Sequence, residues 1–237
     1  MSKNPLRIKV AYLYPDFLHS LCDRANLDVF AMRAHERNIE VEISEIKNDE
    51  KLNSSSYDFY YISGSNIEEL EVCNRHLKNN YSQLKVAAEA MVPMLAINCG
   101  YILLGKSFQL ENSPLKIGAG IINVKTNVLQ RSISTKISGT CNLINDTVVG
   151  YAHYCSETKL EKNTQPFLTL KKGENEGAIC NNVIGTYITS PILAQNPLLC
   201  DYIIVTCLFV KYKCNIPLTR LTDDIEWYSH NYLLETK

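Results

Sequence analysis

A cysteine beside a predicted strand-to-helix turn is the first residue of this chain that could do chemistry. The stretch "AINCGYILLG", Ala96 to Gly105, reads as a buried strand, a tight turn and the start of a helix. Enzymes that hold a nucleophile on such a turn place a glycine two residues after it, because the helix must approach the strand closely. Gly100 stands two residues after Asn98 and only one after Cys99. The spacing therefore predicts Asn98 at the top of the turn and leaves Cys99 displaced from it.

The composition of the chain excludes several classes of protein. With 237 residues and a formal net charge of -1, the chain has no basic surplus that would indicate nucleic acid. The N-terminal segment lacks the apolar run of a secretory signal, and the longest apolar stretch, Tyr202–Val210, is too short to span a bilayer. Nine cysteines without a C-x-x-C pair predict reduced thiols and a cytoplasmic protein. Three of them recur every seven residues, about 10 Å apart on a helix, so no metal site is predicted, and no cofactor is either.

Short apolar runs that alternate with helical patterns predict an α/β fold with a mostly parallel sheet. The predicted strands are, in chain order, Ile8–Tyr14, Ile39–Ile46, Tyr57–Gly64 and Pro93–Asn98. Between them, apolar residues at helical spacing predict helices over Phe17–Asn38 and Glu68–Met91. The loops Ser63–Asn66 and Asn98–Tyr101 follow two of these strands. Ligands of such sheets bind beyond the carboxyl ends of the strands, so these two loops are the candidate site.

The second half of the chain has a different pattern. Residues Ile117 to Val149 are rich in β-branched residues and turn formers, which predicts several shorter strands. Asn196–Lys213, "NPLLCDYIIVTCLFVKYK", has the length and the Asn-Pro start of a helix. No linker or internal repeat interrupts the sequence, so residues 1–237 are predicted to form a single domain.

Five blocks of the sequence, in this order, resemble the class I glutamine amidotransferases of the cobyric-acid-synthase type. The blocks are "LYPDFLHSLCDRANLDVF", "YDFYYISGSNIEELE", "PMLAINCGYILLG", "VVGYAHY" and "IGTYITSPILAQNPLLCDYI". The resemblance runs from about Ile8 to Cys207, and it is closest to the small subunit of lipid II isoglutaminyl synthase. It implies a flavodoxin-like, doubly wound fold with a mostly parallel central sheet and additional short strands in the C-terminal half.

The resemblance also implies a reaction and a partner. In that family a cysteine on the turn attacks the side-chain amide of glutamine, a histidine acts as its base, and backbone N–H groups stabilise the oxyanion. The ammonia then travels to a synthase partner. For the closest relatives the partner is a Mur-ligase-like subunit that amidates peptidoglycan precursors. Glutamine or a related amide, and a synthase of this kind, are therefore the ligand and partner that the resemblance implies.

The residues at the catalytic positions depart from the family pattern. Aligned without a gap, the nucleophile position is Asn98 and the base position is Thr189, within "GTYITSP". A threonine hydroxyl cannot take a proton from a thiol near neutral pH. The arginine that relatives use towards the lipid-linked substrate aligns with Lys136, which keeps the charge but loses the bidentate fork. The glycine-rich oxyanion loop of the relatives aligns with Ser63–Ile67, and Gly64, Ser65 and Asn66 within it are the candidate substrate-binding residues.

A rearranged pair of residues is the competing interpretation. His153, in the block "GYAHY", is a candidate base for Cys99 as a displaced nucleophile. A small buried thiol and a surface histidine are the simpler interpretations of the same two residues.

Three functions follow from these alternatives. The favoured hypothesis is an amidotransferase-fold protein that has lost glutaminase chemistry and acts as a non-catalytic or regulatory subunit beside an amide-forming, Mur-ligase-like partner. The second is an active enzyme: either a glutamine amidotransferase that uses Cys99 and delivers ammonia to a lipid II-amidating synthase, or a hydrolase of another amide. The third is a stand-alone module that binds a small amide.

Overall fold

Two β-sheets and the helices that flank them make up the fold. The structure, a computed structural model, describes residues 5–18, 23–64, 66–171 and 173–236. In chain order the strands are β1 (Leu6–Leu13), β2 (Ile39–Ile46), β3 (Phe59–Ile62), β4 (Met94–Ile97), β5 (Gly105–Leu110), β6 (Lys116–Ile117), β7 (Ile122–Cys141), β8 (Asp146–Leu160), β9 (Leu168–Leu170), β10 (Asn175–Glu176), β11 (Ala178–Cys180) and β12 (Val183–Thr186). The α-helices are α1 (Pro15–Leu18), α2 (Asp23–His35), α3 (Leu70–Leu77), α4 (Tyr81–Glu89), α5 (Cys99–Leu104), α6 (Ile192–Gln195), α7 (Pro197–Tyr212) and α8 (Asp224–Glu235).

The first sheet is mostly parallel and has the strand order β11-β12-β4-β3-β1-β2. All its pairings are parallel except that of the edge strand β11 with β12. Every residue of β3, β4 and β12 is buried, as expected for parallel strands that are covered on both faces. The predicted α/β fold is confirmed, and the four strands predicted in the first half of the chain are β1 to β4.

Helices connect the parallel strands of this sheet. α2 lies between β1 and β2 in sequence, and Phe30 of α2 packs on Phe59 of β3 with ring centroids 5.0 Å apart. The segment predicted as one helix over Phe17–Asn38 contains the end of α1 and all of α2, and its residues 19–22 lie outside the described parts of the chain. The helix predicted over Glu68–Met91 is interrupted by a 3₁₀ turn at Lys78–Asn80, which separates α3 from α4.

The buried side chain of Asn80 explains that interruption. Its Oδ1 accepts the N–H of Leu52 at 2.9 Å, and its Nδ2 donates to the Glu50 carbonyl at 2.8 Å and to the Tyr14 hydroxyl at 2.9 Å. These bonds fix the polar loop between β2 and β3 against the helical segment. A buried asparagine that serves another part of the backbone favours a local departure from the regular helix.

The second sheet contains a long hairpin that the sequence analysis did not predict. β7 runs for 20 residues and pairs antiparallel with the 15-residue β8. The prediction of several shorter strands over residues 117–149 was wrong for this segment, although short strands are present in β6 and in β9 to β12. β7 also pairs in parallel with β5, which begins directly after α5. The strand-to-helix turn is therefore linked to the hairpin by α5, which leads into β5, and by the pairing of β5 with β7.

The helix predicted over Asn196–Lys213 is confirmed as α7. Asn196 fixes its start: Oδ1 accepts the N–H of Val149 at 2.9 Å, and Nδ2 donates to the Val149 carbonyl at 2.8 Å. α7 also carries Asp201, one of two aspartates that surround a buried arginine of α2. Arg33, 2 % exposed, bonds Asp201 at 2.9 Å and Asp223 at 2.5 Å. This ion-pair network ties α7 and the start of α8 to the sheet-covering helix α2.

Within the described residues, no helix has both the length and the apolar character needed to cross a bilayer. The same residues contain no group of three or more His, Cys, Asp or Glu side chains arranged to hold a metal ion.

Candidate active-site turn

The loops after β3 and β4 meet at the carboxyl edge of the parallel sheet. β3 and β4 are neighbours, with Tyr61 opposite Leu95. Beyond their ends, the N–H of Cys99 donates to the carbonyl of Gly64 at 2.9 Å. The two loops that the sequence analysis selected are therefore in direct contact, as expected for parallel strands that end at the same edge.

Asn98 lies at the top of the turn between β4 and α5. Its backbone angles are φ 50° and ψ -107°, a region that non-glycine residues rarely occupy. The Asn98 N–H donates to Thr186 of β12 at 2.9 Å, and its carbonyl accepts the N–H of Ile102 at 3.0 Å, which begins the helix. These bonds hold the strained conformation from both sides.

Two glycines permit the close contacts around this turn. A Cβ on Gly100 would lie 2.2 Å from the carbonyl oxygen of Ile62, so only a glycine lets α5 approach β3 so closely. Gly64 has φ 149°, and a Cβ there would lie 1.3 Å from the carbonyl oxygen of Leu18. The glycine two residues beyond Asn98 thus has the packing role for which the sequence spacing assigned it.

The Asn98 side chain is directed to the hairpin. The residue is 3 % exposed, and its Nδ2 donates to the backbone carbonyl of His153 on β8 at 3.1 Å. Its Oδ1 is buried and has no hydrogen-bond partner within the described parts of the chain. A buried acceptor without a donor costs free energy, so this oxygen is a point at which a donor group would bind favourably.

Cys99 is the first residue of α5 and not the top of the turn. It is fully buried at 0 % exposure. On turns of this kind, the N–H of the residue after the nucleophile is one donor of the oxyanion hole. Here that residue is Cys99, and its N–H is engaged by the Gly64 carbonyl. In this conformation the donor is therefore not available to an incoming oxyanion.

His153 presents its backbone, and not its imidazole, to the turn. The side chain is exposed, and its Nδ1 lies 2.6 Å from the Oγ of Ser134 on the neighbouring strand β7. Successive side chains of a strand point to opposite faces. The buried Ala152 and half-buried Tyr154 beside His153 therefore belong to the inner face, and His153 belongs to the outer one.

Thr189 follows β12 and is bonded to the hairpin. Its N–H donates to the Tyr151 carbonyl at 2.9 Å, and its Oγ1 lies 3.5 Å from the same oxygen. The next bridge along, between Ala152 and Ile188, is antiparallel. These contacts place Thr189, the base position of the family pattern, beside β8. Its hydroxyl has no basic character near neutral pH.

The remaining residues selected from the sequence are more scattered. Asn66 is half-buried in the loop after β3, and Ser65 lies outside the described residues. Lys136 is half-buried on β7, where its Nζ is 3.4 Å from the Thr236 Oγ1 beyond the end of α8. The structure thus brings Asn98, Gly64 and the backbone of His153 together, and it engages Lys136 with the C-terminal segment.

A buried glutamate beside the end of β12 could not be selected from the sequence. Glu176 accepts the Tyr187 N–H at 2.7 Å and the Thr186 hydroxyl at 3.0 Å. Burial raises the pKa of this carboxyl to about 7, although the hydrogen bonds from Tyr187 and Thr186 oppose the shift. Glu176 stands among polar residues in "GENEGA", so no sequence pattern distinguishes it from its exposed neighbours.

The fold of this chain is shared by solved structures. Its defining features are the parallel sheet and the strained strand-to-helix turn at the carboxyl edge of that sheet. A solved structure described as a glutamine amidotransferase aligns with a TM-score of 0.59 and 11 % identity, covering 84 % of this chain and 98 % of that chain. At this identity the likeness shows the fold alone, and it confirms the amidotransferase fold that the resemblance implied.

Sequence comparison gives the family. The CobB/CobQ-like glutamine amidotransferase domain matches residues 9–197, and the chain belongs to this family. The lipid II isoglutaminyl synthase (glutamine-hydrolyzing) subunit GatD of Staphylococcus aureus is 28 % identical over 205 residues, which cover 83 % of each chain. The subunit of the same name from Streptococcus pneumoniae is 23 % identical over 231 residues, covering 92 % of this chain and 87 % of that protein. The resemblance stated from the sequence blocks is confirmed.

Proposed function

We propose that this chain is a glutamine amidotransferase-like subunit that does not hydrolyse glutamine and that supports an amide-forming partner without supplying ammonia. The observation that carries the proposal is the turn itself. Asn98 has the strained backbone at its top, and an asparagine amide is not a nucleophile. The thiol next to it belongs to a helical residue with no exposed surface.

Two further observations support the loss of glutaminase chemistry. Covalent catalysis on a thiol needs a base within hydrogen-bond reach of the nucleophile. Thr189 has no basic group, and the imidazole of His153 is exposed and bonded to Ser134. The oxyanion donor of Cys99 is bonded to Gly64. The nucleophile, the base and the oxyanion donor are therefore missing or engaged at three different residues. Rotation of one side chain would not restore all three.

The partner is inferred from the relatives. The two GatD relatives described above are named as subunits of lipid II isoglutaminyl synthase, and this chain covers at least 83 % of each. We propose a Mur-ligase-like synthase as the partner, with this chain as a regulatory or structural subunit. Lys136 is the residue proposed for contact with the lipid-linked substrate, since it retains the positive charge at that position.

Ammonia release from glutamine tests the proposal. The purified chain, alone and together with a Mur-ligase-like synthase from the same genome, is expected to release no ammonia above the rate of a Cys99→Ala control. The control matters because Cys99 is the displaced nucleophile of the competing hypothesis. Ammonia release that Cys99→Ala abolishes would establish an active glutaminase and reject the proposal.

Binding of a small amide without turnover is a second candidate function, and one observation favours it. The buried Oδ1 of Asn98 has no donor among the described residues, and an amide N–H of a ligand could supply one. Calorimetry with glutamine is expected to show saturable binding that Asn98→Ala weakens. No binding at millimolar glutamine would remove this candidate and leave the first proposal unaffected.

A further inference from the structure

A cavity lies beside α5 and the end of β12, and none of the proposed chemistry uses it. It has a volume of about 240 Å³, and its wall includes Tyr101, Tyr154, Tyr187, Ser156 and Glu176. Tyr101 belongs to α5, Tyr154 and Ser156 to β8, and Glu176 to β10. Tyr187 lies directly after β12, so these five residues come from four separate parts of the chain. The cavity is therefore a feature of the tertiary fold and not of one loop.

The charge of the cavity wall is negative. Among the described residues that line it, two are glutamates, Glu157 and Glu176, and none is Lys, Arg or His. Glu176 is 7 % exposed, and its Oε2 accepts a hydrogen bond only from Thr186 among the described residues. A carboxylate oxygen has two lone pairs, so Oε2 retains one for another donor. A buried carboxylate without a cation is costly, and a bound cation would offset that cost.

The tyrosines supply a second unused polar group and an apolar surface. Tyr101 is only 1 % exposed, and its buried hydroxyl has no hydrogen-bond partner in the described parts of the chain. The ring of Tyr187 packs edge-on against Tyr101 at 5.1 Å and stacks on Tyr154 at 4.8 Å. Buried tyrosine hydroxyls usually find a partner, so the orphan at Tyr101 is a second, independent indication of a missing ligand.

We propose that this cavity binds a small primary amine in its ammonium form, with the ammonium bonded to Glu176 and Tyr101 and the alkyl part against the tyrosine rings. An ammonium carries three N–H donors and no acceptor, which matches a wall that offers a carboxylate oxygen and a hydroxyl oxygen. Its positive charge also favours the electron-rich faces of aromatic rings. The negative wall disfavours an anion of the same size. The site is independent of the proposed function of the turn and stands whether or not the chain hydrolyses glutamine.

Calorimetry with three matched probes tests the site. The full-length chain is titrated in an amine-free buffer near pH 8 with propylammonium chloride, with 1-propanol and with sodium propionate. These probes share a three-carbon chain and differ in the charge of the polar group. We expect saturable millimolar binding of propylammonium and binding at least about tenfold weaker for the other two, because a charge-assisted hydrogen bond is lost.

Matched variants locate the binding. Glu176→Gln keeps the shape and the acceptor for the Tyr187 N–H but removes the charge, so it is expected to weaken propylammonium binding about tenfold or more. Tyr101→Phe removes only the unpartnered hydroxyl and is expected to weaken binding about threefold to tenfold. Glu174→Gln removes the same charge two residues away, from an exposed side chain outside the cavity, and should leave binding unchanged.

Three results would overturn the proposal. The first is no saturable binding of propylammonium, and the second is equal binding of 1-propanol. The third is an equal effect of Glu176→Gln and Glu174→Gln, which would mean that the general negative field, and not the cavity, attracts the cation. Tyr101→Phe removes no hydrogen bond of the described fold. Weaker propylammonium binding by this variant supports the proposed site, and unchanged binding contradicts it, even if Glu176→Gln lowers the stability of the protein.

Discussion

Replacing Glu176 by glutamine should make the protein more stable at alkaline pH and leave it nearly unchanged in acid. Burial raises the pKa of the folded carboxyl from its ordinary 4.5 to about 7. Below pH 4.5 the carboxyl is protonated in both the folded and the unfolded chain. Between pH 4.5 and about 7 the folded chain binds more protons than the unfolded one, so its stability falls as the pH rises. Above pH 7 the full cost of the buried charge is present.

The size of this cost follows from the same shift. One pKa unit corresponds to about 1.4 kcal/mol, so ionisation of Glu176 destabilises the folded chain by about 3 kcal/mol. Roughly 2–3 kcal/mol of this appears between pH 5 and pH 8, since the unfolded carboxyl is already mostly ionised at pH 5. Glu176→Gln removes the charge but retains an oxygen for the N–H of Tyr187. The variant should therefore gain roughly 2–3 kcal/mol relative to the parent protein over that pH interval.

Urea unfolding near pH 5 and near pH 8 measures the effect in an amine-free buffer, so that no bound cation lowers the cost. Glu174→Gln is the matched control, because Glu174 is exposed and carries the same charge two residues away. Its stability difference from the parent protein should not change with pH. A difference between Glu176→Gln and the parent protein that stays constant within about 0.5 kcal/mol across this interval would refute the reasoning.

Two predictions concern the stability of the fold, one through a close backbone contact and one through a buried ion pair. Gly100→Ala should lower the free energy of unfolding by about 2 kcal/mol or more, because the added methyl would lie 2.2 Å from the Ile62 carbonyl oxygen. Gly173→Ala, which has open space but positive φ, should cost about 1 kcal/mol, and equal losses in urea unfolding would contradict the close contact at the turn. Arg33→Ala should cost about 3 kcal/mol, because it leaves the partly buried Asp223 without a cation and Asp201 with Arg37 as its remaining partner. The exposed pair of Arg24 serves as its control: Arg24→Ala should cost under about 1 kcal/mol, and a similar loss for both arginines would refute the role of burial.

The parallel sheet and the turn could be predicted from the sequence because their signals are local. Strands β1 to β4 appear as apolar runs bounded by turn residues, and the helical segments between them repeat with a helical period. The position of Asn98 follows from one spacing, the glycine two residues later. The structure gives that glycine a steric reason, since no side chain fits between α5 and the end of β3 at Gly100.

The long hairpin and the cavity beside Glu176 could not be predicted, because tertiary contacts decide them. β7 contains Gly139 and many polar residues, which resemble turns when the strand is read alone, yet it pairs with β8 over most of its length. The burial of Glu176 depends on bonds to Thr186 and Tyr187, ten and eleven residues later. The alternation within β8 does place His153 on the exposed face, but only once its pairing with β7 is known.

Covalent labelling of Cys99 tests the central claim most directly. The purified chain is treated with a glutamine-mimicking electrophile, and adducts are located by peptide mass spectrometry, with Cys99→Ala as the negative control. A variant that carries both Asn98→Cys and Thr189→His, and so has a thiol and an imidazole at the two family positions, tests whether the pocket admits the reagent. A chain that has lost glutaminase chemistry is expected to show no adduct at Cys99. A stoichiometric adduct at Cys99 that glutamine protects against would contradict the account.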